Sequence, residues 1–387
     1  MPSVDFAAYT YYPSLLCGEV ERMAYEKLRE ATKDGILPIF ELSRRPGADS
    51  GSLQAAIEMV RSTVELRPFL LDIDVRAAPP PYEARDPADP IAEAARVEAE
   101  TAAANSFNQE LSSLLRAEAG FANWRQLVET FPGAVPVLQF TNPEAQRASI
   151  LEQAALLANG GRSIAVRVKP AMIAETCALV AEVLTTVATA DQVLIIFDSG
   201  QGRRRVEDRI AFVANAIDKI LRDIALERSG GLMAVCMSNS FTRPGHDGIR
   251  AVTNCDWEVW RGARQVMPLA FGDYAASQRE RTLSRFIPRD WRATVVHSLP
   301  ESWLINRHEN TADRNGWIEG SRAVRGHPEF DELPSWCDQM IGRAAGGDIN
   351  GADRARFWHA GRINGHLERQ FRYAREAVLG YEDADDL

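Results

Sequence analysis

The alternation of apolar and polar side chains is clearest around Arg167, where the chain is predicted to form a short β-strand. Successive side chains of a strand point to opposite faces. Ile164, Val166 and Val168 therefore share one face. Arg167 and Lys169 share the other face, near the end of the strand. An apolar face under helices and cations at the strand end are typical of a barrel strand, so we expect Arg167 and Lys169 to lie in a barrel mouth.

Similar strands recur along the chain and alternate with helical segments, a pattern that predicts parallel pairing through right-handed crossovers. The predicted strands are 36–41, 68–75, 135–140, 163–169, 192–198, 231–237, 266–271 and 292–297. Eight such units predict an α/β fold of the (β/α)8 TIM-barrel type. An open doubly wound sheet is the alternative, but its central strands are usually apolar on both faces. For the eighth strand a second interpretation stays open, in which 293–297 forms a hairpin with 303–306.

Two helical regions interrupt or follow this alternation. The prolines at 79–81 open a polar linker, and residues 90–130 are rich in alanine and glutamate, which favours helix. We therefore predict a helical insertion at about 79–134, after the second predicted strand. It lies inside a barrel domain of residues 1–307, and residues 308–387 are predicted to form a C-terminal helical appendage.

Composition narrows the class of protein. The chain has 387 residues, of which 45% are hydrophobic and 25% charged, as in ordinary globular proteins. The net charge of -10 argues against a general polyanion binder, because such binding needs many cations. Lysine is rare, and Lys169 is one of only four lysines in the chain.

The five cysteines form no Cys-x-x-Cys pair, which indicates reduced thiols in a cytoplasmic protein. The sequence shows neither a basic leader followed by an apolar run nor an apolar run long enough to span a membrane. We therefore expect neither secretion nor membrane insertion.

Charged residues end several predicted strands, and the carboxyl ends of parallel strands meet at one rim. Clustered carboxylates suit a hard divalent cation, and paired cations suit a phosphate oxyanion. Together they predict a pocket for a phosphoester, with Mg²⁺ or Mn²⁺ as the expected metal. The candidate metal ligands are Glu41, Asp72 and Asp74.

The remaining candidates divide into ligand-binding and catalytic residues. The predicted ligand-binding residues are Arg167, Lys169, Gln139, Asp273 and Tyr274. The predicted catalytic residues are Lys169, Asp198 and His297, with Asp198 or His297 moving a proton. Alternatively, Lys169 acts as a nucleophile that forms a Schiff base with a carbonyl substrate.

Each of these assignments has a structural alternative. The acids and bases of a barrel interior also neutralise one another, because buried ions need partners whether or not a ligand binds. Asp273 in a turn accepts backbone hydrogen bonds without touching a ligand. The arginines and aromatic residues of helix 353–378 are typical of nucleic-acid contacts. They are also typical of an ordinary helix whose aromatic residues pack in the core and whose arginines lie on the solvent-exposed face.

Several segments, taken in order, resemble the beta family of bacterial and phage proteins, over nearly the whole chain. These segments are Tyr12-Pro13 with Gly18-Glu19, Leu37-Pro38-Ile39-Phe40-Glu41, the strand around Asp72 and Asp74, Phe271-Gly272-Asp273-Tyr274, Gly326-His327-Pro328-Glu329-Phe330, and Trp358-His359-Ala360-Gly361-Arg362-Ile363-Asn364-Gly365-His366. The resemblance implies a cytoplasmic protein encoded near phage-defence or mobile-element genes. It assigns no reaction.

Residues and resemblance together predict a defence-associated protein whose barrel mouth binds a phosphorylated small molecule or nucleic acid. Metal-dependent hydrolysis of a phosphodiester is the predicted activity. Two alternatives remain: a non-enzymatic recognition or scaffold subunit that binds a protein partner encoded nearby, and a sensor that binds a nucleotide without cleaving it.

Overall fold

The computed structural model describes residues 3–44, 52–75, 89–159, 161–202, 205–224, 231–242, 245–277, 292–311 and 315–379. Within these residues the chain forms a mixed α/β structure with twelve α-helices and two β-sheets. The larger sheet is an eight-stranded parallel barrel that is nearly closed. The smaller sheet has three antiparallel strands.

The barrel strands follow one another around the sheet in chain order. They are β1 (Tyr11–Leu16), β2 (Ile39–Leu42), β3 (Phe69–Ile73), β4 (Ala134–Pro136), β5 (Ile164–Val168), β6 (Val193–Gln201), β7 (Met233–Asn239) and β9 (Ala270–Asp273). Strand β9 pairs with β1, which joins the last barrel strand to the first. Between β4 and β5 the closure is a single parallel bridge from Val137 to Ala165, where the Leu138 N–H donates to the Ala165 carbonyl.

One barrel strand differs from the sequence prediction. The predicted eighth strand, at 292–297, is β10 (Arg292–Ser298) of the small sheet, so the hairpin interpretation holds. The missing barrel strand is β1, whose run carries Pro13 in its middle. Proline has no N–H for a strand ladder, so the run does not read as a strand by sequence pattern alone.

Helices cover the outside of the barrel. Those that lie between barrel strands are α1 (Glu19–Glu26), α2 (Glu30–Gly35), α3 (Leu53–Val64), α4 (Pro90–Leu114), α5 (Glu118–Glu129), α6 (Arg147–Ala158), α7 (Ile173–Thr186), α8 (Val206–Asp223) and α9 (Asp256–Ala263). Helices α4 and α5 lie within the region for which the sequence predicts an insertion. Residues 79–88 of that region fall outside the described residues.

The barrel has an apolar interior below a polar mouth. The buried interior side chains include Tyr12, Leu37, Ile39, Leu70, Val135, Val137, Ala165, Leu194, Ile196, Val235, Met237 and Ala270. At the amino end Phe6 packs against this cluster, and its carbonyl accepts a hydrogen bond from the Tyr12 hydroxyl. On β5, Ile164, Val166 and Val168 belong to the separate core that lies under the helices, as their alternation predicts.

The small sheet lies against the carboxyl end of the barrel. It consists of β8 (Gly248–Thr253), β10 and β11 (Ser302–Thr311) in the order β10, β11, β8. One face packs Val296, Trp303 and Ile305 against Phe241 and Ala276, which follow barrel strands β7 and β9. The other face is covered by helices α10 (Asn315–Arg325) and α11 (Trp336–Ala345).

The last helix, α12 (Ala355–Leu379), joins the barrel to the small sheet. It is buried around much of its circumference, including polar residues that are fully enclosed. Glu368 accepts hydrogen bonds from the Arg29 backbone N–H at 2.8 Å and from the Thr32 hydroxyl at 2.6 Å, both beside helix α2. Gln370 accepts a bond from the Trp257 indole at 2.6 Å and donates to the Leu299 carbonyl at the small sheet.

Two glycines allow helices α11 and α12 to approach closely. A Cβ at Gly361 would lie 2.4 Å from Cε of Met340, and a Cβ at Gly365 would lie 2.9 Å from Cβ of Cys337. At Gly361 the flexible end of Met340 would have to move, whereas at Gly365 a side chain would press on the Cβ of Cys337. The close approach of the two helices therefore depends most on Gly365.

We expect Glu368→Ala to lower the free energy of unfolding by about 3 kcal/mol, because it leaves a partly buried guanidinium, an N–H and a hydroxyl without their acceptor. Urea titration followed by circular dichroism measures this. The matched control is Glu376→Ala in the same helix, where an exposed pair with Arg372 is lost and little change is expected. Equal effects of the two variants would contradict the structural role of Glu368.

Candidate functional site

A layer of buried polar side chains lies above the apolar interior, at the carboxyl ends of the barrel strands. We call it the Arg167 cluster. Its members are Arg167, Glu41, Asp72, Asp198, Ser14, Gln139 and Tyr274, and each comes from a different strand or the segment that follows it. In parallel barrels this end of the strands is where ligand sites form.

The guanidinium of Arg167 is the centre of the cluster. Its Nη1 lies 3.0 Å from Oε1 of Glu41 and 3.0 Å from Oδ2 of Asp72. Glu41 and Asp72 are register partners on neighbouring strands β2 and β3, so their carboxylates stand side by side. Two like charges in that position repel each other unless a cation lies between them. Arg167 provides that cation from β5.

Neutral side chains complete the hydrogen bonds of the three carboxylates. The Ser14 hydroxyl donates to Oε1 of Glu41 at 2.5 Å, and the Gln139 amide donates to Oδ1 of Asp72 at 3.0 Å. The Tyr274 hydroxyl donates to Oδ2 of Asp198 at 2.6 Å. These bonds offset part of the cost of burying the charges.

The charges of the cluster do not balance, because three carboxyl groups surround one guanidinium. Burial alone would lower the pKa of Arg167, but the carboxylates of Asp72, Glu41 and Asp198 outweigh it and hold that pKa well above its usual value. Arg167 is therefore cationic at any pH at which the protein is handled. The excess of acceptors around it favours a ligand that brings hydrogen-bond donors.

Two predicted residues lie at the edge of the cluster. Asp74 follows β3, is buried, and its backbone N–H donates to the Leu42 carbonyl. Lys169 follows β5 and is half-buried at the start of the short 3-10 helix Pro170–Met172. Within the part of the chain that the structure describes, the Lys169 ammonium has no hydrogen bond or ion pair.

Asp273 lies on the outer side of the barrel wall, unlike its neighbour Tyr274. It is 1% exposed and accepts bonds from the Tyr11 hydroxyl at 2.8 Å and from Nε2 of His366 at 2.7 Å. Trp303 donates its indole N–H to Nδ1 of His366 at 3.2 Å. An indole can only donate, so the proton of that imidazole is on Nε2 and points at Asp273. The network ties β1, β9, α12 and the small sheet together.

His297 also lies away from the barrel mouth. It belongs to β10 of the small sheet, and its Nδ1 is 2.9 Å from Oδ1 of Asp338 at the start of helix α11. The prediction of a proton-transferring histidine at the mouth depended on 292–297 being a barrel strand. Because that strand pairs in the small sheet, the structure does not bring His297 to the Arg167 cluster.

The predicted metal ligands do not form a metal site in this arrangement. The Arg167 guanidinium occupies the space between Glu41 and Asp72 that a cation would need. Among the described residues, no group of three or more His, Cys, Asp or Glu side chains is placed to hold a metal ion. We therefore derive no chemical step through a metal.

A cavity of about 270 Å³ lies at the opposite, amino end of the barrel. Its lining includes Val4, Tyr9, Pro68 and Val135, together with Arg162. This end of a parallel barrel usually contributes stability, whereas ligand sites lie at the carboxyl end. The polar groups that converge at the mouth make it the stronger candidate.

Sequence reasoning missed Ser14 and the contacts of Asp273 with Tyr11 and His366. Ser14 is in β1, the strand interrupted by Pro13, so it was not counted among the strand ends. His366 lies in a segment that the family resemblance singles out, yet helical spacing alone gives no sign that it contacts a barrel strand. No described helix combines the length and apolar character needed to cross a membrane.

The fold and its polar mouth define the class, an α/β barrel-like protein with a buried ionic cluster at the carboxyl ends of its strands. The sequence model of the Beta protein family matches residues 11–372, and this chain belongs to that family. Protein beta of Enterobacteria phage P4 is 25% identical over 393 residues, which covers 99% of both chains. No solved structure matches this chain.

We expect Arg167→Met to lower the free energy of unfolding at neutral pH by about 3–5 kcal/mol, because Glu41 and Asp72 then face each other without a cation. The carboxyl groups would bind protons more readily in the folded than in the unfolded variant. Their folded pKa values would therefore be raised, so the variant would be penalised at neutral pH and would recover as the pH falls.

Urea titrations of both proteins from pH 7 to pH 4 would test this, and the stability difference from wild type should narrow towards pH 4. Arg61→Met, which removes one member of an exposed pair with Glu58, is the matched control. A difference that stays constant with pH would show that Arg167 stabilises the fold by packing alone.

Proposed function

We propose that the barrel mouth binds a phosphorylated small molecule, with nucleotides as the leading candidates. The observation that carries the proposal is Lys169, a half-buried residue at the carboxyl end of β5 whose ammonium has no ion pair to a described residue. A cation in a partly desolvated position is stabilised by a bound anion. A phosphate group supplies that anion, as lysine is a common phosphate ligand.

The rest of the mouth suits the uncharged part of such a ligand. The Arg167 cluster offers carboxylate oxygens from Asp72 and Asp198 and an amide from Gln139. Sugar hydroxyls and base amino groups donate to such acceptors. One cation beside several acceptors fits a nucleotide better than a nucleic-acid backbone, which needs a row of cations.

The finer parts of the proposal rest on the fold type and the family resemblance. A TIM-type (β/α)8 barrel with a helical insertion accounts for the strand order and for the polar groups at the carboxyl ends. A role in phage defence and a cytoplasmic location are part of this proposal, and the resemblance to beta proteins is what supports them. Phosphodiester hydrolysis is the activity to be tested, with the metal supplied from solution.

A second candidate is a non-enzymatic scaffold whose interior charges serve stability alone. The ion pairs of Arg167 with Glu41 and Asp72 favour it, because buried ions need such partners whether or not the mouth binds a ligand. In that case helix α12 and the small sheet contact a protein partner. Substitutions at Lys169 would then be silent in cells, and substitutions on exposed positions of α12 would not.

We expect a nucleotide at saturating concentration to raise the melting temperature of the protein by about 2 °C or more, because it binds the folded state alone. The test is thermal-shift screening of ribonucleotides, sugar phosphates and inorganic phosphate. Lys169→Ala should remove the shift and leave the ligand-free melting temperature unchanged. Lys219→Ala, in helix α8, is the matched control and should keep the shift. A shift that survives in Lys169→Ala would contradict the assigned phosphate contact.

We expect any hydrolysis of nucleotides or short oligonucleotides to be lost in Lys169→Ala, and assays with and without added Mg²⁺ or Mn²⁺ show whether a metal ion that arrives with the substrate takes part. Product formation measured by chromatography checks this, with Lys219→Ala again as the control. Binding without turnover at any metal concentration would favour the nucleotide-sensor alternative. Turnover that Lys169→Ala leaves intact would contradict the role assigned to Lys169.

A further inference from the structure

One donor of the Arg167 cluster has no acceptor. Nη1 of Arg167 makes the two close ion pairs, but Nε is buried and has no hydrogen-bond partner. Oδ2 of Asp198 faces this Nε at 3.9 Å, a distance that is too long for a hydrogen bond. A charged donor left without an acceptor destabilises a buried site.

Asp198 retains acceptor capacity on the same side. Its Oδ1 accepts from the Gly200 N–H at 3.0 Å, and its Oδ2 accepts from the Tyr274 hydroxyl at 2.6 Å. A carboxylate oxygen has two lone pairs, so Oδ2 can accept one more bond. Arg167 and Tyr274 are 7% and 8% exposed and Nε of Arg167 is itself buried, so a ligand reaches this position only when the surrounding side chains move aside.

The gap between these two atoms selects for one type of chemical group. The bridging atom must accept a hydrogen bond from Nε of Arg167 and donate one to Oδ2 of Asp198. A hydroxyl does both. A phosphate or carboxylate oxygen would repel Asp198, and an ammonium cannot accept from Nε. If a bridging oxygen lies about 2.8 Å from each atom, the angle at that oxygen between Nε of Arg167 and Oδ2 of Asp198 is close to 90°. A hydroxyl can adopt this geometry.

We propose that the ligand places a sugar hydroxyl between Nε of Arg167 and Oδ2 of Asp198. This rests on the proposed function, in which Lys169 binds the phosphate. Arg167 and Lys169 are two residues apart on one face, so their backbones are separated by about 6.6 Å. A pentose phosphate carries both groups, a phosphate for Lys169 and ring hydroxyls for the position beside Arg167. The predicted ligand class is therefore a pentose phosphate or a ribonucleotide.

Isothermal titration calorimetry on the full chain tests this with matched ligands. The probes are ribose phosphate, the four ribonucleoside monophosphates, and the dideoxy analogue of each. We expect every dideoxy analogue to bind about 10- to 100-fold more weakly than its parent, because it lacks the hydroxyl that satisfies Arg167 and Asp198. The analogue series uses the wild-type protein, so it does not depend on a variant that folds.

Two variants locate the effect. Asp198→Ala, which removes the acceptor, should reduce the preference for the hydroxyl-bearing ligand. Asp191→Ala, an exposed position at the other end of β6, is the matched control and should behave as wild type. A variant is compared only if its melting temperature shows that it folds.

The outcomes separate this inference from the proposed function. If parents and dideoxy analogues bind equally, the hydroxyl contact is wrong, water occupies the gap, and phosphate binding at the mouth stands. If none of the probes binds, the proposed function fails and this inference fails with it. A preference that persists in Asp198→Ala would place the hydroxyl elsewhere in the mouth and overturn the inference.

Discussion

The structure depends on one buried ionic interaction, the insertion of the Arg167 guanidinium between carboxylates of neighbouring strands. Glu41 and Asp72 are register partners, so parallel pairing of β2 and β3 forces two like charges together. The barrel brings Arg167 from β5 to within 3.0 Å of both. A shift of any of these strands by one residue would turn the charged side chain to the helix side. The cluster and the strand register therefore specify each other.

A second buried network fixes the wall of the barrel next to that cluster. Asp273 and Tyr274 are adjacent but face opposite ways, so the contacts of Asp273 with Tyr11 and His366 also hold Tyr274 towards Asp198. The two residues that follow, Ala275 and Ala276, have positive φ values, which non-glycine residues adopt only where their surroundings impose it. Helix α12 thus influences the mouth without lining it.

The sequence predicted those parts of the fold and site that follow from local alternation. Seven barrel strands follow from short apolar runs that alternate with helical segments, and the inward face of Arg167 follows from the period-two pattern of β5. The pattern failed at β1, where Pro13 interrupts the run, and at 292–297, whose alternation suits either sheet. The hydrogen bonds that join Trp303, His366 and Asp273 connect segments that are far apart in the sequence. No local spacing of residues encodes such contacts.

The position of helix α12 has a consequence for synthesis of the chain. This helix packs on β1 and β9, and its polar residues satisfy groups near residues 29 and 32 as well as in the small sheet. Until it has left the ribosome, the first and last strands of the cylinder keep an uncovered apolar flank. Completion of the barrel therefore follows synthesis of this helix, and before then the uncovered flank is open to non-native contacts.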